Sequence, residues 1–187
     1  TPCLTTDMPR QRLPCVDGSA RVGLGRYFLA MWTFHDRDAL GTDLVVEGML
    51  RQLRQCALNH RFAIHAYCFM PHEVSLLLEG LSPSSALRRL IRDWKQRTTL
   101  EYRKATGGDL WERGHVDLAL CAGECTHEVA RYVIGIPVRE GLVSTASEYR
   151  YAGSDTGATS GTLPQTPNSA RLRPRDVRPD PEPPGSA

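Results

Sequence analysis

Between Arg26 and Ala152, short apolar runs alternate with stretches whose apolar residues recur at helical spacing, and few folds accommodate that order. RYFLAMWTF (26–34) is rich in aromatic and aliphatic residues and reads as a strand. From Asp43 to His60, Val46, Leu50, Leu53 and Ala57 share one helical face, with Thr42 or Asp43 to cap it. FAIHAYCFM (62–70) and VSLLLEG (74–80) are two further strands, and the break at Pro71-His72 between them is short enough for a hairpin. A helix capped by Ser84 or Ser85 then runs to about Lys104, with Leu87, Leu90, Ile91 and Trp94 inward and Gly107-Gly108 ending it. HVDLALC (115–121) is a fourth strand, and Thr126 opens a short helix that Gly135 and Pro137 stop.

This order is the split strand-helix-strand arrangement of ferredoxin-like and RRM-like domains, an α+β fold. It predicts an antiparallel sheet with its helices packed on one face. The flanks differ in composition. Seven of the 13 prolines follow Gly153, so residues 153–187 read as a disordered Pro/Arg-rich tail. Its Arg171, Arg173, Arg175 and Arg178 alternate with prolines and acids, the pattern of a solvated segment. Residues 1–25 read as a flexible N-terminal segment, leaving 26–152 as the folded domain.

Composition excludes several classes. With 41% hydrophobic residues in 187, the chain can bury one core and is not disordered throughout. No window approaches the roughly 20 continuous apolar residues of a membrane-spanning helix. A net charge of +2 identifies no partner by itself. The six cysteines (3, 15, 56, 68, 121 and 125) form no Cys-x-x-Cys pair in a chain too long for a disulfide scaffold. Reduced thiols in a cytoplasmic protein are the expectation, and TPCLTTDMPRQRLPC contains no apolar secretion core.

Chemistry concentrates in two places. Arg88, Arg92 and Lys95 fall at i, i+4 and i+7 of the second helix, stacking three cations on one face beside Trp94. Such a row suits a phosphate backbone, although taken alone it reads first as the solvated side of an amphipathic helix. Arg113 is a further phosphate contact, or the partner of Glu112 or Asp117. Tyr132 lies on the short helix, where a tyrosine is ordinarily a packing residue but could attack a phosphodiester beside a polarising metal. Cys121, Cys125 and His127 form a loose zinc-like array without a fourth ligand. His115 and Asp117, at i and i+2, read first as ordinary sheet residues.

RYVIGIPVREGLVSTASEYRYAGS (131–154) resembles the C-terminal signature of single-tyrosine HUH transposases, above all the REP-associated tyrosine transposases. Their pattern is Tyr-Ile-x-x-Asn-Pro-Val-Arg-x-Gly-Leu-Val. LWERG followed by HVD (110–117) is similar to the family's Leu-Trp-Gln-Arg-Gly and its next strand. HAYCFMPHEVSLLLEG (65–80) is similar to the stretch around its Met-Pro-Asn-His-hydrophobic-His-Leu-Leu, and His65 fits the scaffold there. The resemblance implies a partner and a reaction: single-stranded or hairpin DNA, cut and rejoined during transposition through a 5′-phosphotyrosine. It implies Mg²⁺ or Mn²⁺, held by two strand histidines and an Asn or Gln one turn beyond the tyrosine. It also admits a homodimer.

Tyr132 matches the nucleophile, but the metal positions depart from the pattern. Glu73 and Ser75 stand where the histidines would be, and Ile136 stands at the Asn position. Of these Glu73 alone is a plausible residual ligand. His72 is offset by one residue, which on a strand points it to the other face. The expectation is a transposase-like DNA-binding domain with impaired cleavage. The alternatives are an active nicking and joining enzyme with a rearranged Glu73, His72 and Tyr132 site, or a decayed remnant.

Overall fold

In strand β1 (Arg26–Trp32) residues of both parities are apolar, and each parity enters a different core: Tyr27, Leu29 and Met31 one, Phe28 and Ala30 the other. The computed structural model describes residues 21–34, 39–121 and 124–156. The chain continues through α1 (Asp43–His60), β2 (Phe62–Phe69), β3 (Glu73–Gly80), α2 (Leu87–Thr106) and β4 (Val116–Ala119). Then come α3 (Thr126–Ile134), α4 (Ile136–Arg139), a 3₁₀ turn (Ala146–Glu148) and β5 (Ala152–Gly153). The five-stranded sheet has the order β4-β1-β3-β2-β5 with every neighbour antiparallel, the expected α+β arrangement extended by β5.

The two long helices pack on one face, as expected. Val46, Met49 and Leu53 of α1 meet Leu87, Leu90, Ile91 and Trp94 of α2 over Leu29, Met31, Leu76 and Leu78. Trp94 is fully buried, and its Nε1 donates to Met49 O at 3.0 Å. The short helix α3 takes the opposite face, where Ala130 and Val133 join Phe28, Ala30, Ala66, Cys68 and Leu77 in a second core. Strands apolar at both parities require that second cover.

Several boundaries differ from the sequence expectation. Ser85 does not cap α2: its Oγ donates to Arg61 O at 2.7 Å, and Ala86 is the N-cap. Met70 N donates to Glu73 O at 2.7 Å, closing the β2–β3 hairpin on Pro71 and His72 as the spacing required. Gly135 ends α3 as its C-cap, as expected, but Pro137 opens a further helical turn instead of stopping one. Gly135 keeps right-handed dihedrals (φ −82°, ψ 0°), and Pro137 sits in the first turn of α4, where a missing N–H costs nothing. Cys121 is disulfide-bonded while Cys56, Cys68 and Cys125 are free, which corrects the expectation of thiols reduced throughout.

Packing extends on both sides of 26–152. Arg21 Nε pairs with Asp117 at 2.8 Å, and Val22 bridges to Ala86. At the other end residues 149–155 round the β2 edge, with Tyr149 in the core beneath α3 and Tyr151 against the core beneath α1 and α2. The expected tail from 157 onward and the N-terminal segment to residue 20 lie outside the described residues. Among the described residues no helix is long and apolar enough to cross a membrane.

Candidate functional site

The antiparallel register sets Trp32 opposite Glu73 and Ala30 opposite Ser75, and β2 adds Cys68 beside Ser75. Val74, Leu76 and Leu78 enter the core beneath the long helices, so Glu73 and Ser75 face the side that α3 covers. Tyr132 and Ile136 pack into that same side. The structure thus brings the tyrosine, the two positions on β3 and the position one turn beyond the tyrosine onto one side of the sheet.

Tyr132 is half-buried, its ring edge-on to Phe28 with centroids 6.3 Å apart and planes at 71°. On the ring lies the guanidinium of Arg139, whose Cζ is 3.9 Å from the centroid, and Arg139 Nη2 donates to Tyr132 O at 2.6 Å. Arg139 was not singled out in the sequence. Its spacing of seven from Tyr132, two helical turns, was the available signal.

Both oxygens of Glu73 are engaged. Trp32 Nε1 donates to Oε2 at 3.2 Å, and Ser75 Oγ donates to Oε1 at 3.0 Å. Burial nevertheless holds this carboxyl above the usual range, against the two hydrogen bonds and the opposing field of His72. Ser75 is fully buried. Burial foremost, then Glu73, also pushes up the Cys68 thiol, leaving it a packing residue. The phenol of Tyr149, pushed up to about 12 mainly by burial, donates to Phe69 O at 2.8 Å.

His72 precedes β3 in the hairpin turn, so strand alternation does not govern it. Its carbonyl accepts from Thr33 N at 2.9 Å and Thr33 Oγ1 at 3.2 Å. Among the described residues no three His, Cys, Asp or Glu side chains form a metal group. A Mg²⁺ or Mn²⁺ ion needs several oxygen ligands, and this set offers one carboxylate already bonded through both oxygens, a buried hydroxyl and an isoleucine. The residues present do not fit the ion.

The cation row on α2 is shorter than expected. Arg88 and Arg92 are exposed, with Asp93 3.5 Å from Arg92 Nε. Lys95 instead turns inward. Its Nζ donates to Gly114 O at 2.6 Å and Glu112 O at 3.3 Å, and lies 5.6 Å from the Trp111 ring centroid. Burial lowers its pKa to about 8. Trp94, buried in the core, is not a surface partner of these cations. Because α2 covers the face opposite α3, Arg88 and Arg92 lie across the sheet from Tyr132.

Arg113 is exposed, and Asp117 is committed to Arg21. His115 is half-buried, with burial first and the cations Lys95 and Arg88 next in lowering its pKa. The Cys121, Cys125 and His127 array does not assemble as zinc ligands, since the Cys121 sulfur is in a disulfide. His65 sits at a bulge in β2, bonded through Nε2 to Glu79 and through Nδ1 to Thr156, which makes it a scaffold residue.

No sequence-family model matches the chain, and no curated protein matches it by sequence. Among solved structures it is similar to a REP-associated tyrosine transposase bound to a REP hairpin, with a TM-score of 0.59 at 17% identity over 79% of this chain and 82% of that one. A protein of Deinococcus radiodurans R1 assigned as a transposase gives a TM-score of 0.46 at 22% identity, over 63% of this chain and 94% of that one. At 17% identity the likeness is one of fold: this chain shares the sheet and helix arrangement of that REP-associated tyrosine transposase.

Proposed function

We propose that this chain is a transposase-like domain that binds single-stranded or hairpin DNA and cuts it poorly or not at all. The fold likeness to a hairpin-bound transposase supports the DNA partner. The three motif-bearing segments support the family from the sequence side. One observation carries the loss of cleavage. Tyr132 lies on a helix over the sheet, while Glu73 on the same side of the sheet has both oxygens bonded by Trp32 and Ser75. Attack by a phenol on a phosphodiester needs the phosphate charge neutralised and the proton removed, and the ion that would supply both has no ligand set here. Arg88 and Arg92, with Arg113, are the phosphate contacts of this reading. Lys95 contributes by holding α2 to residues 112–114 rather than by touching DNA.

A rearranged active site is the second reading, and it rests on His72 standing next to Glu73 at the start of β3. A labelled hairpin oligonucleotide with Mn²⁺ separates the readings. We expect salt-sensitive binding without a covalent adduct. An adduct that Tyr132→Phe abolishes would establish the active enzyme, and absence of any binding would establish a decayed remnant.

A further inference from the structure

The guanidinium of Arg139 is held by a ring and a carbonyl rather than by a carboxylate. Arg21, Arg54, Arg92, Arg103 and Arg150 each pair with a carboxylate. Arg139 makes no ion pair among the described residues and lies instead against an aromatic ring and one carbonyl. Its position follows from the backbone. Gly135 N donates to Arg131 O at 2.9 Å and Arg139 N to Gly135 O at 3.2 Å, so α3 runs into α4 with little break in the helical path. Residues 132, 136 and 139 therefore share a face. Gly135 also leaves the space: a Cβ there would lie 3.1 Å from Arg139 Nη1 and 3.1 Å from Arg131 O.

A guanidinium carries five N–H donors in a rigid plane, and ring stacking uses none of them. One goes to Tyr132 O. A bond from this cation to an anion is charge-assisted and stronger than one between neutral groups. Arg139 is exposed, so the guanidinium over the Tyr132 ring is within reach of a ligand from solvent.

We infer that Arg139 forms an oxyanion site beside Tyr132 that seats one backbone phosphate of the bound DNA strand. This rests on the DNA-binding reading above and adds to it a contact on the sheet face opposite Arg88 and Arg92. The flat guanidinium supplies the positive charge on the tyrosine side of the sheet, where the ligand set for an ion is missing.

The test titrates the full chain with a hairpin oligonucleotide at several salt concentrations. Arg139→Ala should weaken binding roughly tenfold and flatten the log-log salt slope by about 0.7–0.9, the loss of one phosphate contact. Arg139→Lys should keep the slope and lose a few-fold in affinity, because it retains the charge but not the stacked plane. Circular dichroism confirms that both variants fold, and the lysine variant carries the test if the alanine variant does not. Unchanged affinity and slope in Arg139→Ala would overturn the inference while leaving DNA binding intact. If the wild-type chain binds no DNA, the proposed function falls, and inorganic phosphate then decides the site alone. A saturable shift of the Arg139 Nε–H resonance supports an oxyanion site, and its absence overturns it.

Discussion

Trp32 and Glu73 are cross-strand partners on β1 and β3, and the indole N–H donates to a carboxylate held above its usual pKa by burial. The carboxylate is bonded but still costs free energy to keep charged. Glu73→Gln retains an acceptor for Trp32 and a group that can pair with Ser75, so it should stabilise the fold at neutral pH by on the order of 1 kcal/mol. A raised folded-state pKa means that the native state binds the proton more tightly. Wild-type stability should therefore gain as pH falls from above that pKa toward the unfolded value of about 4.3, and the variant should not. Urea melts of the two proteins across this range check the sign.

Ser75 is fully buried between Ala30 and Cys68. Ser75→His places an imidazole where a hydroxymethyl fits, and should cost about 1–3 kcal/mol by overpacking. Combined with Glu73→His and Ile136→Asn, it should restore Mn²⁺-dependent cleavage only at temperatures where the variant still melts cooperatively. Adduct yield beside a thermal melt measures both effects.

Lys95 and Arg92 should part company despite their spacing on one helix. Arg88→Ala/Arg92→Ala should flatten the salt slope of DNA binding, whereas Lys95→Met should leave it unchanged, since its ammonium is bonded to carbonyls of residues 112 and 114. Lys95 has a folded pKa of about 8, below the unfolded value of about 10.4. Between those values the unfolded chain binds more protons, so this group makes stability rise with pH there. The wild-type minus Lys95→Met difference isolates it.

His60 and Asp93 join α1 to α2 across 2.8 Å, and the hydrogen bond from His60 is the chief reason the Asp93 carboxyl lies below its usual range. A depressed carboxyl contributes stability above its unfolded pKa of about 3.9, lost as pH falls through the lower folded value. His60→Ala should remove about 0.5–1 kcal/mol at pH about 5 and almost nothing at pH about 2, since the pair is partly exposed. Guanidinium melts at the two pH values test this.

Local signals carried most of the fold. The Pro71-His72 break closed a two-residue turn, and Gly107 ends α2 in the left-handed region with φ 75°. What failed were partners chosen at long range. Ser85 looks like a cap within its own segment, but its bond to Arg61 O spans 24 residues. Lys95 belongs to a cationic row by helical spacing, yet the carbonyls that draw it inward are on residues 112 and 114. At the site, alternation along β3 put Glu73 and Ser75 on one face, which the second core reproduces. The bond from Trp32 to Glu73 needed the β1–β3 register, which no local pattern supplies.

The passage of residues 149–155 around β2 has a consequence for solubility. Phe69 N donates to Tyr151 O, Asp155 N to Ile64 O, and β5 pairs with Tyr67 and Cys68. These bonds occupy a row of main-chain donors and acceptors that would otherwise template another strand. A chain cut before Tyr149 would bare that row alongside the apolar sequence FAIHAYCF, and self-association would overtake it before any defect in recognition could be measured.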